Sequence, residues 1–486
     1  MKKIIIVGSG ISGLTSGTYL SKNGYDVEIY EKNDYAGGFL TKFDRDGMIV
    51  DTCIHWMTGT KKGTKLNKIW NDNGGLKDVD IIIPESFFDF TMDGKTIRFY
   101  HDIDKLEKEL YKFSEDDDKE IAKLIEAIKA INIMETPSDI PYELGDNTDM
   151  SANPDLLRKT AYYIIKNLSD LAMKFNSPII RNALLNCPVN KKFSAYYFVM
   201  NLANFVNGNA ALPKGLSNGV RNRLVNEFIT SGGKINLNEN VSEILIENGQ
   251  AKGIISNGII HHSDYVISAC DLHYTFEVLL KNKYEFNPYK DYDLDDVKYP
   301  MYSYAIFAYK TKHDFKDRIA QGYQIKPLKI FNKELEFLSI RSYGYDETLK
   351  NGDYSVVQIL LETDLDDYNY LKNLSKEEYD EFKNKYKVIF KDILNELFDD
   401  EFIYLDSFTP LTLKRMCNSY MGQFMTYALT KKVPSYTRSF LVEGLNNFVL
   451  ANQWLVLPGG TPVAATNGKL ASQLVLYLDG KDYKNI

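Results

Sequence analysis

The chain has 486 residues, 44% hydrophobic and 13% aromatic, with a net charge of −8. Single cores stop growing near roughly 250–300 residues, so this length calls for two or more lobes, and so much apolar material excludes disorder as the main state. The acidic balance argues against nucleic acid as the principal partner. Cys53, Cys187, Cys270 and Cys417 lie far apart without a CxxC pair, which disfavours a redox dithiol or a zinc site and fits unpaired, buried thiols in a reducing cytoplasm.

In chain order, Lys2 and Lys3 followed by apolar residues 4–7 look like the opening of a signal peptide, but Gly8 breaks the run too early for a secretory segment. No stretch approaches the roughly 18–20 apolar residues that span a bilayer. A cytoplasmic protein, at most peripheral to a membrane, is expected. Residues 4–7 form a β-branched run of the kind found in a buried parallel strand; a glycine turn follows, then a helix to about residue 23 and a second strand at 27–30. This is a βαβ unit. From about Pro84 to Asn207 the character changes: residues 102–120 are acidic and helical in pattern, and 155–198 are aromatic and basic. Residues 241–246, 251–256 and 259–262 are short strands separated by Asn248-Gly249 and Asn257-Gly258, a strong hairpin signal, and so predict a β-meander. Residues 265–268 read as a strand returning to the first lobe. Residues 290–435 are mixed, with a charged helix around 374–397, and 448–451 begin a strand, turn and apolar helix. The fold class expected is α/β: a Rossmann-type dinucleotide-binding domain with a parallel sheet and meander (1–84, 208–289, 436–486), interleaved with an α+β substrate- and membrane-facing domain (85–207, 290–435).

The glycine turn is Gly8-Ser9-Gly10-Ile11-Ser12-Gly13, placed between strand and helix as a GxGxxG phosphate site requires. Gly8 permits the tight turn, Gly10 lets backbone approach a diphosphate, and Gly13 lets helix pack on strand. Ile11 and Ser12 open the helix, whose free N–H groups and dipole attract phosphate. Eighteen residues after Gly13, Glu31 ends the second strand, where an acid accepts hydrogen bonds from ribose hydroxyls and disfavours the 2′-phosphate of NADP; Lys32 follows it. Three features favour FAD over NAD. Gly37-Gly38 supply a second close approach, no second GxGxxG exists, and the segment Ala451–Ala465 builds a turn (Pro458, Gly459, Gly460) into a helix. Thr461 is expected as its N-cap and Pro462 as its first residue. Small residues at 464, 465 and 468 would let its positive end approach a flat, reducible ring.

The sequence resembles the phytoene desaturase and retinol saturase branch of the amine-oxidase-like FAD oxidoreductases. The matching stretches are GSGISGL (8–14), EKNDYAGG (31–38), GMIVDTCIHW (47–56), LPKGLSNGVRNRL (212–224), SGGKINLNENVSEI (231–244) and VLPGGTPVAATNGKLAS (456–472). The resemblance implies FAD contacts from Gly8, Gly10, Gly13, Glu31, Gly37, Gly38, the backbone of Val241, Asn452 and the helix start near Val463. Two departures stand out. Phe39 replaces an arginine common after the paired glycines, with Lys42 the nearest base, and Ala451-Asn452 replaces a Gly-Asp pair.

Desaturating or saturating a carbon–carbon bond needs a hydride path and a proton carrier. His55 is the candidate carrier with Asp51 as its orienter; a structural histidine is the other reading. Trp56 and Trp454 either wall the flavin or fill core. His101, His261, His262, His273 and His313 show no ligand spacing, so no metal is expected. Arg415 and Tyr420 either recognise a carboxylate or headgroup or sit in surface ion pairs. Residues 155–198 carry seven basic side chains against Asp155 and Asp170, interleaved with aromatic and aliphatic residues. Such a stretch either lies on an anionic membrane and admits a lipid, or is a solvated basic face.

The function implied is an FAD-dependent oxidoreductase acting on C–C or C=C bonds of a hydrophobic, isoprenoid-like or fatty-acyl substrate. The alternatives are an isomerase or hydratase of unsaturated fatty acids, a flavin amine oxidase, and a membrane-docking scaffold with a retained flavin. No residue pattern sets the oligomeric state.

Overall fold

The computed structural model describes all residues apart from 41–42, 132, 134–138, 146–153, 286–302, 317 and 433–435. Lys42 and the expected boundaries at 289–290 and 435 lie outside the described residues.

Ile4, Ile5 and Ile6 are fully buried in the Lys3–Val7 strand, at the centre of a parallel sheet covered on both faces. The order is Lys234–Asn236, Asp26–Tyr30, Lys3–Val7, Tyr265–Ser268, Phe448–Leu450. The chain leaves the central strand towards one side and returns later on the other, so a crevice opens at the carboxyl ends of the strands. The Ile11–Lys22 helix closes one face, with the Leu216–Thr230 and Thr461–Leu478 helices packed against it.

That helix contact depends on small residues. Ser12 Oγ donates to Ala464 O at 2.8 Å, Ser16 Oγ to Gly468 O at 3.0 Å, and Ser472 Oγ to Ser16 O at 3.2 Å. A Cβ at Gly468 would stand 2.7 Å from Thr15 Cβ, and one at Gly13 would overlap the Gly8 carbonyl oxygen.

The meander comprises Val241–Glu247, Gln250–Ser256 and Ile259–His262, antiparallel throughout. Its turns place Asn248 and Gly249 at φ 51° and 73°, and Asn257 and Gly258 at 48° and 80°, the left-handed pairs of a type I′ hairpin.

The second lobe is built on a seven-stranded sheet, in the order Phe402–Phe408, Ser303–Thr311, Ser355–Thr363, Lys333–Ser342, Ala320–Ile330, Ser86–Met92, Lys95–Tyr100. Alternation along Ser303–Thr311 separates two cores. Phe307 and Tyr309 pack on the Lys376–Phe398 helix, while Tyr304, Ile306 and Ala308 join the core that runs on into the parallel-sheet lobe. The acidic stretch expected to be helical over 102–120 is two helices, Ile103–Lys112 and Asp118–Ala130. The break is tertiary in origin: Asp117 accepts from Asn176 N at 2.6 Å and Ser177 N at 2.9 Å. Residues 155–198 fall in four helices, Pro154–Ile164, Leu168–Ala172, Pro178–Leu185 and Ala195–Val206. No helix among the described residues is long and apolar enough to cross a membrane.

Gly468→Val forces two tightly apposed helices apart. Overpacking of this kind costs about 1–3 kcal/mol, so thermal unfolding of this variant is expected at a clearly lower temperature than wild type.

Candidate functional site

A continuous cavity of about 1030 Å³ opens at the carboxyl ends of the parallel strands. Of the residues expected at the cofactor, all but Gly13 line it, together with His55, Trp56 and Trp454. Gly13 lies one layer behind, where its missing side chain lets the helix meet the strand.

The turn after the first strand is fixed by Gly8 N donating to Tyr30 O at 2.9 Å. Gly10 begins the helix with no side-chain cap, so the first helical amides stay open towards the cavity, an anion site by geometry and dipole. The Glu31 carboxylate, 6% exposed, accepts from Ser9 N (3.1 Å) and Ser9 Oγ (2.6 Å) on one oxygen, and from Asn33 N (3.0 Å) and Asn33 Nδ2 (2.8 Å) on the other. Ser9 Oγ in turn accepts from Gly37 N at 3.1 Å, and a Cβ on Gly38 would come within 3.1 Å of Gly10 Cα. The two glycine turns are therefore in contact. Lys32 Nζ donates to Arg415 O (2.9 Å) and Asn418 Oδ1 (2.7 Å), tying this edge to the second lobe; burial pushes its pKa down.

At the other end, Asn452 Oδ1 accepts from Trp454 N at 3.0 Å, and Asn467 Nδ2 donates to Asn452 O at 2.8 Å. The Asn452 Nδ2 group is buried and has no partner. The last helix begins at Thr461, one residue earlier than expected. Gly460 at φ 91° is its cap and donates its N–H to Gln453 Oε1 at 2.8 Å, so no side chain blocks the helix end.

His55 sits among Tyr304, Phe424 and Trp56, at ring-centroid distances of 5.5, 5.9 and 6.5 Å. Its Nε2 has no hydrogen-bond partner. Burial, and then the Arg341 guanidinium, hold its pKa well below the ordinary histidine value. Asp51 does not line the cavity. Its carboxylate accepts from Cys53 N (2.9 Å), Ile54 N (3.1 Å), Ser217 N (2.8 Å) and Ser217 Oγ (2.7 Å), and none of these bonds goes to His55. Burial pushes its pKa up against the pull of those bonds. The four cysteines are free, and Cys53, Cys270 and Cys417 line the cavity. Burial raises the Cys270 and Cys417 thiols to about 12, so they are protonated near neutral pH and poor nucleophiles.

Arg415 and Tyr420 stand outside the cavity lining. Arg415 is exposed and contributes only its carbonyl to Lys32, and Tyr420 stacks on His273 at 3.6 Å. Ser9, Asn33, Ser217, Asp271 and Arg341 escaped the sequence reading. Asp271 collects Tyr420 N (3.0 Å), Gln423 Nε2 (3.1 Å) and Trp454 Nε1 (3.0 Å). The one local signal was its place just beyond a parallel strand.

The profile of the flavin-containing amine oxidoreductase family matches residues 11–476. The chain belongs to this family. Its cofactor is FAD, and the residues present fit it: open helix amides for the diphosphate, Glu31 for a sugar, and an unpartnered Asn452 amide beside a helix that starts with small residues behind a glycine cap. Similar family members include prolycopene isomerase 1, chloroplastic, from an Oncidium hybrid cultivar, 28% identical over 296 residues, 57% of this chain and 49% of that one. The alignment thus spans about half the length of that relative. A 4,4'-diapophytoene desaturase of Staphylococcus haemolyticus is 21% identical over 534 residues, 97% of this chain and 98% of that one. Among solved structures, an oxidoreductase from Methanosarcina mazei superposes with a TM-score of 0.58 at 16% identity, covering 98% of this chain and 100% of that one. Cyclohexylamine oxidase from Brevibacterium oxydans gives 0.55 at 13% identity, covering 98% and 99%. At these identities the superpositions establish the fold.

Replacing Glu31 with alanine removes a charged acceptor from the cavity. Hydrogen bonds to charged groups contribute about 1.5–3 kcal/mol, so FAD is expected to bind the apoprotein roughly 10–100-fold more weakly, read by titration of flavin fluorescence.

Proposed function

We propose that this protein is an FAD-dependent oxidoreductase that desaturates or saturates a carbon–carbon bond of a hydrophobic, isoprenoid-like substrate. The observation that carries the reading is how charge is distributed in the cavity. Among the described lining residues, the fixed charges are Glu31, Lys32, Glu239 and Asp271, and each follows closely on a strand of the parallel sheet. The rest of the lining carries no fixed charge: apolar and aromatic residues, including Ile164, Tyr197, Met200, Phe424, Leu429 and Phe440, stand beside neutral polar ones such as Ser194, Asn201 and Asn452. A fatty acid would ask for a cation, yet Lys32 is the one lysine or arginine in that lining and its ammonium is already bonded. An amine would ask for a carboxylate in the apolar arm, and none of the described residues supplies one there. A hydrocarbon chain asks for neither.

When bound, FAD supplies the two-electron hydride acceptor or donor. The chain's own part is to bind the polyene along the apolar arm, exclude water with its aromatic walls, and move the accompanying proton. We assign that last task to His55. Its side chain lines the cavity and burial holds it neutral, the state in which an imidazole takes a proton from the carbon next to the one losing hydride, or, after protonation, returns it. The end-to-end match to a diapophytoene desaturase supports this reading. A redox-neutral isomerisation of the same substrate class is the second reading, favoured by the 28% identity to a prolycopene isomerase. The mass of the product separates them: two hydrogens lost or gained, or none.

Anaerobic addition of an acyclic isoprenoid polyene to the yellow protein is expected to bleach the flavin band or to be turned over without mass change; amines bleaching it while polyenes do nothing would sink the proposal. His55→Gln is expected to slow the polyene reaction by about 10²–10³-fold, in the range of lost acid–base catalysis. Because the imidazole is neutral well below its ordinary pKa, the wild-type rate should stay flat from about pH 6 to 8 and fall only in more acid solution, where the ring takes up a proton.

The basic helical stretch bears on substrate delivery. Leu157, Ile165 and Met173 are 47%, 60% and 65% exposed, with Lys166 and Lys174 next to Ile165 and Met173 in the turns that follow two of the helices, and Ile164 lines the cavity next to outward-facing Ile165. Arg158 and Lys159 are each 3.0 Å from Asp155, so part of the charge is already neutralised. The patch is read as a peripheral membrane contact. Co-sedimentation with anionic phospholipid vesicles is expected, and changing Leu157, Ile165 and Met173 together to serine should abolish it.

A further inference from the structure

The loop that carries His55 is gripped from both ends by buried charges. At its start the Asp51 carboxylate takes the N–H groups of Cys53 and Ile54 and both donors of Ser217, which opens the Leu216–Thr230 helix. At its end Arg341 Nη1, on the Lys333–Ser342 strand of the second lobe, donates to His55 O at 2.8 Å. The same sheet holds the loop's start, with Gln358 Nε2 donating to Asp51 O at 2.7 Å and Tyr343 OH to the same oxygen at 3.4 Å. An anion thus faces the donor side of these peptides and a cation the acceptor side.

Arg341 is only 5% exposed. Among the described residues no carboxylate lies within ion-pair distance of it, and His55 O is its one hydrogen-bond acceptor. A buried guanidinium without a counter-ion is costly, so its retention calls for a reason. With His55, Trp56 and Ser86 it borders a void of about 10 Å³. The other groups that face the imidazole are uncharged. Tyr304 has its pKa pushed far up by burial, Phe424 and Trp56 do not titrate in this range, and Asp51 on the same loop is turned to Ser217.

We propose that Arg341 is a positioning residue for His55: it fixes the His55 peptide from the second lobe and stands beside the imidazole as an unneutralised cation, so that the ring enters turnover as an empty proton acceptor. This rests on the reading of His55 as the proton carrier. It adds a residue from the far sheet that touches neither the cavity's apolar arm nor the dinucleotide turn. The depressed pKa of His55, caused first by burial and then by Arg341, is in keeping with it.

The test is a titration of the FAD-loaded protein labelled with ¹³C-histidine, the His55 signal being assigned by its loss in His55→Gln. Arg341→Gln keeps a donor for His55 O but removes the charge; Arg341→Lys keeps the charge. The His55 pKa is expected to rise by about one unit, a tenfold gain in proton affinity, in Arg341→Gln and to stay near wild type in Arg341→Lys. The acid limb of the polyene reaction should shift in step. An unchanged titration in Arg341→Gln, or the two variants behaving alike, overturns the proposal. So does a wild-type His55 that titrates at an ordinary histidine value, a result that needs neither Arg341 variant to fold. No substrate enters the titration, so its outcome is separate from failure of the isoprenoid reading.

Discussion

The close packing of the Ile11–Lys22 helix, against its own strand through Gly13 and against the Thr461–Leu478 helix through Ser12, Ser16 and Gly468, is the constraint from which the site follows. Two helix N-termini open into one crevice, and the residues at both fit a dinucleotide. They can do so only if the helices touch along serine, alanine and glycine, since larger side chains would spread them. The hydroxyl-to-carbonyl bonds between the helices then satisfy polar groups that such tight contact buries.

The acids around the cavity show a common economy. Glu31, Asp51 and Asp271 are all buried, and each is surrounded by donors from backbone or side chain. A carboxylate so enclosed organises loops without projecting charge into the apolar arm. This is how one cavity can carry its fixed charges where the strands end and none elsewhere in its described lining. Phe39, directly after the paired glycines and in the cavity lining, extends the apolar character up to the second glycine turn.

Much of this was legible in the sequence where the signal is local. The βαβ unit, the two Asn-Gly turns and the final helix each depend on residues within a few positions of one another, and each is present. The cap of that helix was misplaced by one residue because Thr461 is a good cap in isolation, whereas Gln453 already serves the Gly460 N–H and a glycine there reaches φ 91°. The break at 113–117 was invisible because its cause, Asp117 meeting the amides of Asn176 and Ser177, lies about sixty residues away. Arg341 was invisible for the same reason: nothing near residue 341 announces a contact with the carbonyl of His55. Asp51 drew attention by its spacing from His55, yet its bonds run to a helix start 166 residues on.

The order of the strands has one more consequence. The parallel sheet recruits Lys3–Val7 and Asp26–Tyr30 early, Lys234–Asn236 and Tyr265–Ser268 midway, and Phe448–Leu450 near the last of the helices. During synthesis the phosphate turn is therefore made long before the wall that faces it, and a nascent chain short of residue 460 has only half a binding crevice. The crevice is whole only when the Thr461–Leu478 helix lies on the Ile11–Lys22 helix, so its two walls come from segments as far apart as Ser12 and Ala464, 452 residues along the chain.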